Sequence, residues 1–301
     1  MKEKIIVIAG PTASGKTDKA IELALKINGE VISADSMQVY KYMDIGTAKP
    51  SEDELLGVKH YLIDEVYPDE DFSVAHFCEL AKNAIKEITE KGKTPIIAGG
   101  TGFYINALLK DTDFSDDNEK DTEYREELSI LAKTNGNEYV HNMLKEVDFG
   151  SYEKIHPNNI KRVIRALEFY KQTGQKISVH NLEEKSKKSP YDAEIFILDM
   201  DRAKLYERIN ERVDIMMKKG LIEEVENLLK MGYNETLTSM QGLGYKEIVP
   251  FLKGEWTKDF AIEILKRDTR RFAKRQLTWF RHQIDEGVLV DRNEQIQLFT
   301  R

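Results

Sequence analysis

Ile5-Ile6-Val7-Ile8-Ala9-Gly10-Pro11-Thr12-Ala13-Ser14-Gly15-Lys16-Thr17 joins an unbroken apolar run to a glycine-bounded turn that ends in Lys-Thr. Apolar residues without alternation are what a parallel strand buried on both faces requires. Residues 10–17 fit the pattern G-x-x-x-x-G-K-[ST], whose glycines let backbone N–H groups curl around phosphate oxygens at the start of a helix. Lys16 adds a point charge, and the Thr17 hydroxyl can ligate Mg²⁺. By motif alone, Gly10, Pro11, Thr12, Ala13, Ser14, Gly15, Lys16 and Thr17 would be classed as a nucleotide-binding, ATP-binding P-loop.

Outward from this loop the spacing predicts a helix over 16–27, strands at 30–34 and 61–63, a helix over 73–91 and a strand at 95–98. Alternation of short apolar strands with amphipathic helices implies βαβ units. The expected fold class is therefore α/β, a P-loop parallel sheet flanked by helices. From about Asp111 the sequence becomes charged and strand-poor, with helical spacing, until Ile195-Phe196-Ile197-Leu198 restores a buried strand. That pattern predicts a small all-helical domain over 111–189, inserted between core segments 1–110 and 190–301. Further helices are expected over 202–219, 221–230, around 245–252 and over 257–284, with stops at Gly220, Gly232 and Gly287.

The chain has 301 residues, 41% of them hydrophobic, enough for one good core and a smaller appended unit. No stretch approaches the roughly 18 apolar residues of a membrane helix, and Met1-Lys2-Glu3-Lys4 runs into the first strand without signal-peptide architecture. A cytoplasmic monomer is expected. The single cysteine, Cys78, excludes an internal disulfide or Cys-based zinc site and sits in a helical pattern as a packing residue. A net charge of −8 argues against nonspecific nucleic-acid binding over the whole surface, so the distribution of charge matters more. Acids predominate from Asp111 to Asp148. Basic residues gather between Lys154 and Lys188, and again at Lys266, Arg267, Arg270, Arg271, Lys274, Arg275 and Arg281 on one predicted helix.

A P-loop identifies phosphates and leaves the reaction open. The strand at 95–98 runs into Gly99-Gly100-Thr101-Gly102, where a nucleotide hydrolase would carry a Walker-B acid to hold Mg²⁺. A P-loop kinase is thereby disfavoured. The strand at 30–34 leads instead to Asp35-Ser36-Met37-Gln38-Val39-Tyr40 and opens on the phosphate side of the sheet. Asp35 there can serve as a general base, or as a helix N-cap. The Gln38 amide offers a donor and an acceptor to an adenine edge.

These residues, with Gly99-Gly100-Thr101-Gly102-Phe103-Tyr104, His156-Pro157-Asn158-Asn159, Arg162 and Arg165-Ala166-Leu167-Glu168, resemble the tRNA dimethylallyltransferase family. Gly220-Leu221-Ile222-Glu223-Glu224-Val225, Gly242-Leu243-Gly244-Tyr245-Lys246-Glu247 and Ala273-Lys274-Arg275-Gln276-Leu277-Thr278-Trp279-Phe280-Arg281 extend the resemblance, in order, over nearly the whole chain. It departs at Asn159, where the family usually has Asp, and at Lys161, where Gln or Arg is common.

The resemblance implies transfer of a dimethylallyl group from dimethylallyl diphosphate to N6 of the adenosine immediately 3′ of the anticodon in tRNA, with release of diphosphate. It implies that Lys16, Mg²⁺ on Thr17 and an arginine, matched to Arg212, stabilise the departing diphosphate; Arg208, one turn earlier, is the alternative read as a surface charge. Asp35 would deprotonate or orient the N6 amine, and Thr101 would help to hold it. The adenosine would be flipped into the site, against Asp35, Ser36, Met37, Gln38 and Thr101. The insertion would grip the anticodon stem-loop through Arg125, Lys161, Arg162 and Arg165. His156 is read as a cap or packing residue. The one cysteine excludes the C-terminal zinc finger of eukaryotic relatives, so the resemblance is to the bacterial type.

Overall fold

A computed structural model describes residues 2–114, 121–284, 287–292, 294, 296 and 298; residues 115–120, part of the acid-rich stretch, lie outside the described residues. The chain divides into two compact units, Met1–Leu109 with Pro190–Arg301, and Lys110–Ser189.

In the first unit the elements run β1 (Lys4–Ala9), α1 (Lys16–Ile27), β2 (Gly29–Ser33), α2 (Glu52–Leu55), β3 (His60–Tyr61), α3 (Val74–Glu90), β4 (Thr94–Gly99) and α4 (Gly102–Lys110). The second unit holds α5 (Thr122–Asn135), α6 (Asn137–Val147), α7 (Phe149–Lys154), α8 (Ile160–Thr173) and α9 (Ile177–Ser186). The chain then completes the first with β5 (Asp192–Asp199), α10 (Arg202–Lys219), α11 (Leu221–Lys230), α12 (Tyr245–Leu252), α13 (Lys258–Gln283) and β6 (Val288–Asp291).

The six strands form one sheet in the order β3-β2-β4-β1-β5-β6, every neighbouring pair parallel. The expected α/β parallel sheet with flanking helices is the fold observed. Because side chains alternate along a strand, Ile6 and Ile8 of β1 face one side with Val31, Ile96, Phe196 and Leu198, and α1 covers that side with Ala20, Ile21, Leu23 and Ala24. Ile5 and Val7 point to the other side and are equally buried, which is why β1 reads as continuous rather than alternating. Helix α3 packs against β4 and β2, and its Phe77 stacks on Tyr104 of α4 at 4.7 Å. Cys78 is buried on α3.

Local chemistry sets the helix ends. Ser73 caps α3 by accepting from the His76 N–H, Asp201 caps α10 through Ala203 and Lys204, and Thr257 caps α13 through Phe260. Gly220 ends α10 in the left-handed region, as its position predicted. Gly287 is not a helix stop: α13 ends at Gln283, with Ile284 as its cap, and Gly287 leads into β6. The strand expected at 61–63 is displaced to His60–Tyr61, because Leu62 and Asp64 adopt left-handed backbone angles that no strand can continue through.

The helical unit has its own core of Leu128, Val140, Leu144, Val163 and Leu167. Two buried acids organise its polar interior. Asp148 accepts the backbone N–H and hydroxyl of both Ser151 and Ser178, at 2.5 to 3.1 Å. Glu168 of α8 receives Arg125 of α5 and Arg165 of its own helix. No helix among the described residues is long and apolar enough to cross a membrane.

Candidate active site

Three loops leave the carboxyl ends of β1, β2 and β4, which are neighbours in the sheet, so their residues gather where parallel sheets bind ligands. The first is the P-loop. Gly15 stands at φ +88°, the left-handed position from which α1 starts, and a side chain there would be strained and would meet Arg292 Nε at 2.7 Å. Ala13 also has φ +63°, a costly angle for a residue with a Cβ, and it is held from two sides. Its methyl group packs against Leu205 and Ile209 of α10 and Ala273 of α13, while its carbonyl accepts Arg208 Nε at 2.9 Å.

Lys16, Asp35 and Arg212 line a single cavity of about 1040 Å³, together with Thr12, Thr17 and Gln38. Burial brings the Lys16 ammonium down to about 8, a shift that neighbouring Asp35 opposes and Arg212 reinforces. Burial likewise lowers Arg212, against the pull of Asp35 and Asp18. Lys16 and Arg212 thus set two desolvated cations beside Asp35 in one cavity, an arrangement that can take up a polyanion. Lys16 Nζ donates to the Pro11 carbonyl at 3.2 Å, which keeps it against the loop. Arg208, read from sequence as a surface charge, lines the same cavity and braces Ala13.

Asp35 Oδ1 accepts the Met37 N–H at 3.0 Å, a local turn rather than a helix cap. Thr101 does not line the cavity. Its Oγ1 accepts the Ser36 N–H at 3.0 Å, so it fixes the backbone next to Asp35. Gln38 does line it, but its amide is engaged by Ser33 Oγ at 2.9 Å and by the Thr47 and Ala48 carbonyls at 3.4 Å. Met37 packs against the apolar cluster of α11 and α12 and abuts Gly242. The end of β4 carries no carboxylate, in agreement with the sequence.

In the helical unit Lys161 and Arg162 are exposed at the first turn of α8. Arg125 and Arg165 are not simple surface charges. Arg125 places Nε on Glu168 Oε1 at 2.6 Å and Nη2 on Oε2 at 2.7 Å, and Arg165 Nη1 reaches Oε2 at 2.9 Å. His156 accepts the Asn158 N–H on Nδ1 at 3.2 Å and so braces a turn. The basic run on α13 is likewise divided: Lys266 pairs with Asp214, Arg270 bonds Asn210 and Arg281 pairs with Asp199, while Lys274 and Arg275 are exposed.

Sequence patterns did not assign several residues that the fold brings to the site. Gln276 of α13 accepts the Thr12 N–H at 2.8 Å and donates to the Gly100 carbonyl at 2.9 Å. Glu224 of α11 accepts the N–H groups of Asp44, Ile45 and Gly46 at 2.7 to 3.0 Å and the Tyr245 hydroxyl at 2.8 Å, fixing a loop that walls the cavity. Arg292, beyond β6, reaches Asp18 at 3.4 Å beside the P-loop. Only motif membership pointed to Gln276 and Glu224; nothing pointed to Arg292.

The family model described as IPP transferase matches residues 38–283. The chain belongs to this family. The matched residues begin after the P-loop and Asp35, but individual relatives extend over both. A tRNA dimethylallyltransferase of Acetivibrio thermocellus is 58% identical over 97% of the chain and 93% of its own length. Among solved structures, the full-length tRNA isopentenylpyrophosphate transferase of Bacillus halodurans superposes with a TM-score of 0.72 at 46% identity, over 97% of this chain and 90% of the other. A eukaryotic dimethylallyltransferase acting on tRNA gives a TM-score of 0.82 at 32% identity, over 96% of this chain and 74% of the other.

Proposed function

We propose that the chain transfers a dimethylallyl group from dimethylallyl diphosphate to N6 of the adenosine immediately 3′ of the anticodon in tRNA. The observation that carries this reading is the meeting of Lys16, Arg212 and Asp35 in one cavity beside a β4 end without a carboxylate. Family membership and the names of the relatives supply the substrate class.

The reaction breaks the bond between the allylic carbon and its diphosphate oxygen, which keeps the electron pair. The N6 lone pair closes on that carbon, and the N6 proton passes to Asp35. Asp35 Oδ2 makes no hydrogen bond among the described residues and is the oxygen that takes it. Lys16 and Arg212 lower the barrier by stabilising negative charge as it builds on the diphosphate. Thr101 acts one residue away, by fixing Ser36. Gln38 reads the base only by exchanging its present partners.

A magnesium ion fits the donor set. Thr17, which carries a hydroxyl, lines the cavity beside Lys16. Mg²⁺ takes few protein ligands and completes its shell with phosphate oxygens and water. Held by Thr17, such an ion would supply further charge neutralisation to the departing diphosphate.

Recognition of the anticodon stem-loop is assigned to the helical unit, first to the exposed Lys161 and Arg162. Arg125 and Arg165 contribute less, because Glu168 offsets their charge. We take the enzyme to act as a monomer in the cytoplasm, with its tRNA substrate.

The test incubates the purified chain with an unmodified tRNA transcript and either allyl-labelled dimethylallyl diphosphate or γ-labelled ATP, then digests the RNA to nucleosides. Label is expected in N6-dimethylallyladenosine. Asp35→Ala should abolish that product while tRNA affinity stays within about threefold. Transfer of label from ATP to an acceptor, or full turnover by Asp35→Ala, contradicts the reading.

A further inference from the structure

We propose that Gln276 is a positioning residue that locks the diphosphate loop to the acceptor loop; this rests on the prenyl-transfer reading above. The ladder between β1 and β4 pairs Ile6 through Ala9 with Ile96 through Gly99 and ends there. Beyond it the two loops separate: residues 10–17 form the cradle of the electrophile, and residues 100–101 support the nucleophile. Gln276 bridges them just past the last strand pair, at Gly100 on one side and Thr12 on the other. Its Oε1 accepts the Thr12 N–H at 2.8 Å and its Nε2 donates to the Gly100 carbonyl at 2.9 Å.

From Gly100 the connection continues to Asp35. Thr101 is the next residue, its hydroxyl oxygen accepts the Ser36 N–H, and Ser36 follows Asp35 directly. One chain of bonds thus joins the loop that holds the leaving group to the carboxylate that takes the proton. Transfer needs the N6 nitrogen and the allylic carbon within near-attack distance, and a displacement of about 1 Å between two such loops costs on the order of a hundredfold in rate.

The side chain is suited to this and to little else. Gln276 is 7% exposed on a helix whose other polar residues mostly face outward, so its amide must be satisfied where it stands. It must accept from one loop and donate to the other, which Lys, Arg, Glu and Met cannot do at once. Thr12 spends its N–H on Gln276, so the bond shapes the loop instead of binding a ligand. A Cβ at Gly100 would collide with Gln276 Nε2, so the bare backbone there admits the amide.

A residue that merely stabilises the fold would leave the rate with both ligands bound unchanged, and one that only shapes a binding site would change affinity. A residue that sets register changes the rate with both ligands bound. The test uses the full chain with Gln276→Met, which fills the space without hydrogen bonds, and Gln276→Glu, which keeps the acceptor for Thr12 and loses the donor for Gly100. Affinities for inorganic diphosphate and for unmodified tRNA are measured separately, and prenyl transfer is measured in single turnover at saturating concentrations of both substrates.

The single-turnover rate is expected to fall about thirtyfold or more in Gln276→Met and at least tenfold in Gln276→Glu, with each dissociation constant within about threefold of wild type. If Gln276→Met does not fold, Gln276→Glu decides by the same criteria. Rates within threefold of wild type, or a rate loss matched by an equal loss of affinity for either ligand, overturn the inference while leaving the reaction intact. Absence of product from the wild-type chain overturns the reaction, and the inference with it.

Discussion

Arg125 grips Glu168 with two arms, at 2.6 and 2.7 Å, across the α5–α8 contact, and the carboxylate it holds is wholly buried. Burial pushes the Glu168 carboxyl up, but the hydrogen bonds from Arg125 and Arg165 outweigh it and leave the group below the ordinary glutamate range. Removing Arg125 leaves a buried charge held only by Arg165 and the Asp121 N–H. Arg125→Ala should therefore destabilise the helical unit by about 2 kcal/mol in urea unfolding of the full chain, below the roughly 3–5 kcal/mol of a fully broken buried pair because Arg165 and the Asp121 N–H remain. Glu168 has a folded-state pKa lower than its unfolded one, so its contribution holds above pH ~4.5 and is lost as pH falls through the folded value. Arg125→Ala should accordingly lose its deficit in acid. A deficit that does not shrink at any acid pH down to acid unfolding would mean the pair is not its source.

Lys161→Ala and Arg162→Ala provide the contrast, since neither side chain is engaged in the helical core. Each should leave the unfolding midpoint within about 0.5 kcal/mol of wild type and reduce the salt dependence of tRNA binding by about one counterion. An unchanged salt slope in both would move the RNA contact elsewhere.

Glu224 shows why much of the site was hidden in the sequence. The P-loop, Asp35 and the helix over 202–219 carrying Arg212 were legible, because each follows from a local pattern: an apolar run, a glycine-bounded turn or a helical period. The partners that hold them are 176 to 264 positions away, Gln276 from Gly100 and Thr12, and Glu224 from Gly46 by 178. No local period encodes such distances. Helix α4 was missed for a related reason: it begins at Gly102 directly after Gly99-Gly100-Thr101, and glycines disguise a helix start. Strand β6 has one buried residue, Val290, in four, too little for an apolar pattern. For Arg125 the resemblance offered a role at the stem-loop but not its partner Glu168, which lies 43 positions away.

Glu224→Ala should release the Asp44–Gly46 backbone, since three N–H groups and the Tyr245 hydroxyl lose one shared acceptor. A stability loss of about 2 to 3 kcal/mol is expected, against about 1 kcal/mol for Tyr245→Phe, which takes only one of the four bonds from Glu224. Because that loop walls the cavity, the Michaelis constant for dimethylallyl diphosphate should rise in Glu224→Ala more than in Tyr245→Phe. Equal effects of the two variants would show that the backbone bonds contribute nothing.

Arg208 and Arg212 stand one turn apart on α10 and line the same cavity, but only Arg208 is tied to the P-loop backbone. Arg212→Ala removes charge from the leaving-group site and should cut kcat by about a hundredfold, as loss of a preorganised electrostatic donor does, with little change in stability. Arg208→Ala instead frees Ala13, which sits at φ +63° against its own preference, and should lower stability by about 1 to 2 kcal/mol. Its kcat should fall less than that of Arg212→Ala. The reverse order of the two rates would exchange the roles.

Lys16 gives the site a pH dependence whose direction follows from its shift. Burial lowers its pKa from the ordinary lysine value of 10.5 to about 8. Only the protonated form carries the charge that attracts diphosphate, so affinity should be insensitive to Lys16 below about pH 7 and fall as pH rises through 8, by up to tenfold per unit while the cation is lost. Stability moves the opposite way: between pH 8 and 10.5 the unfolded chain binds the proton that the folded chain has released, so this one group makes folding more favourable as pH rises. Diphosphate titrates too, and Lys16→Met separates the two effects. Isothermal titration of inorganic diphosphate from pH 6.5 to 9.5 should show a break near 8 in the wild-type chain that Lys16→Met lacks, with weaker binding throughout in the variant. The same break in both proteins would assign it to the ligand and remove Lys16 as the titrating group.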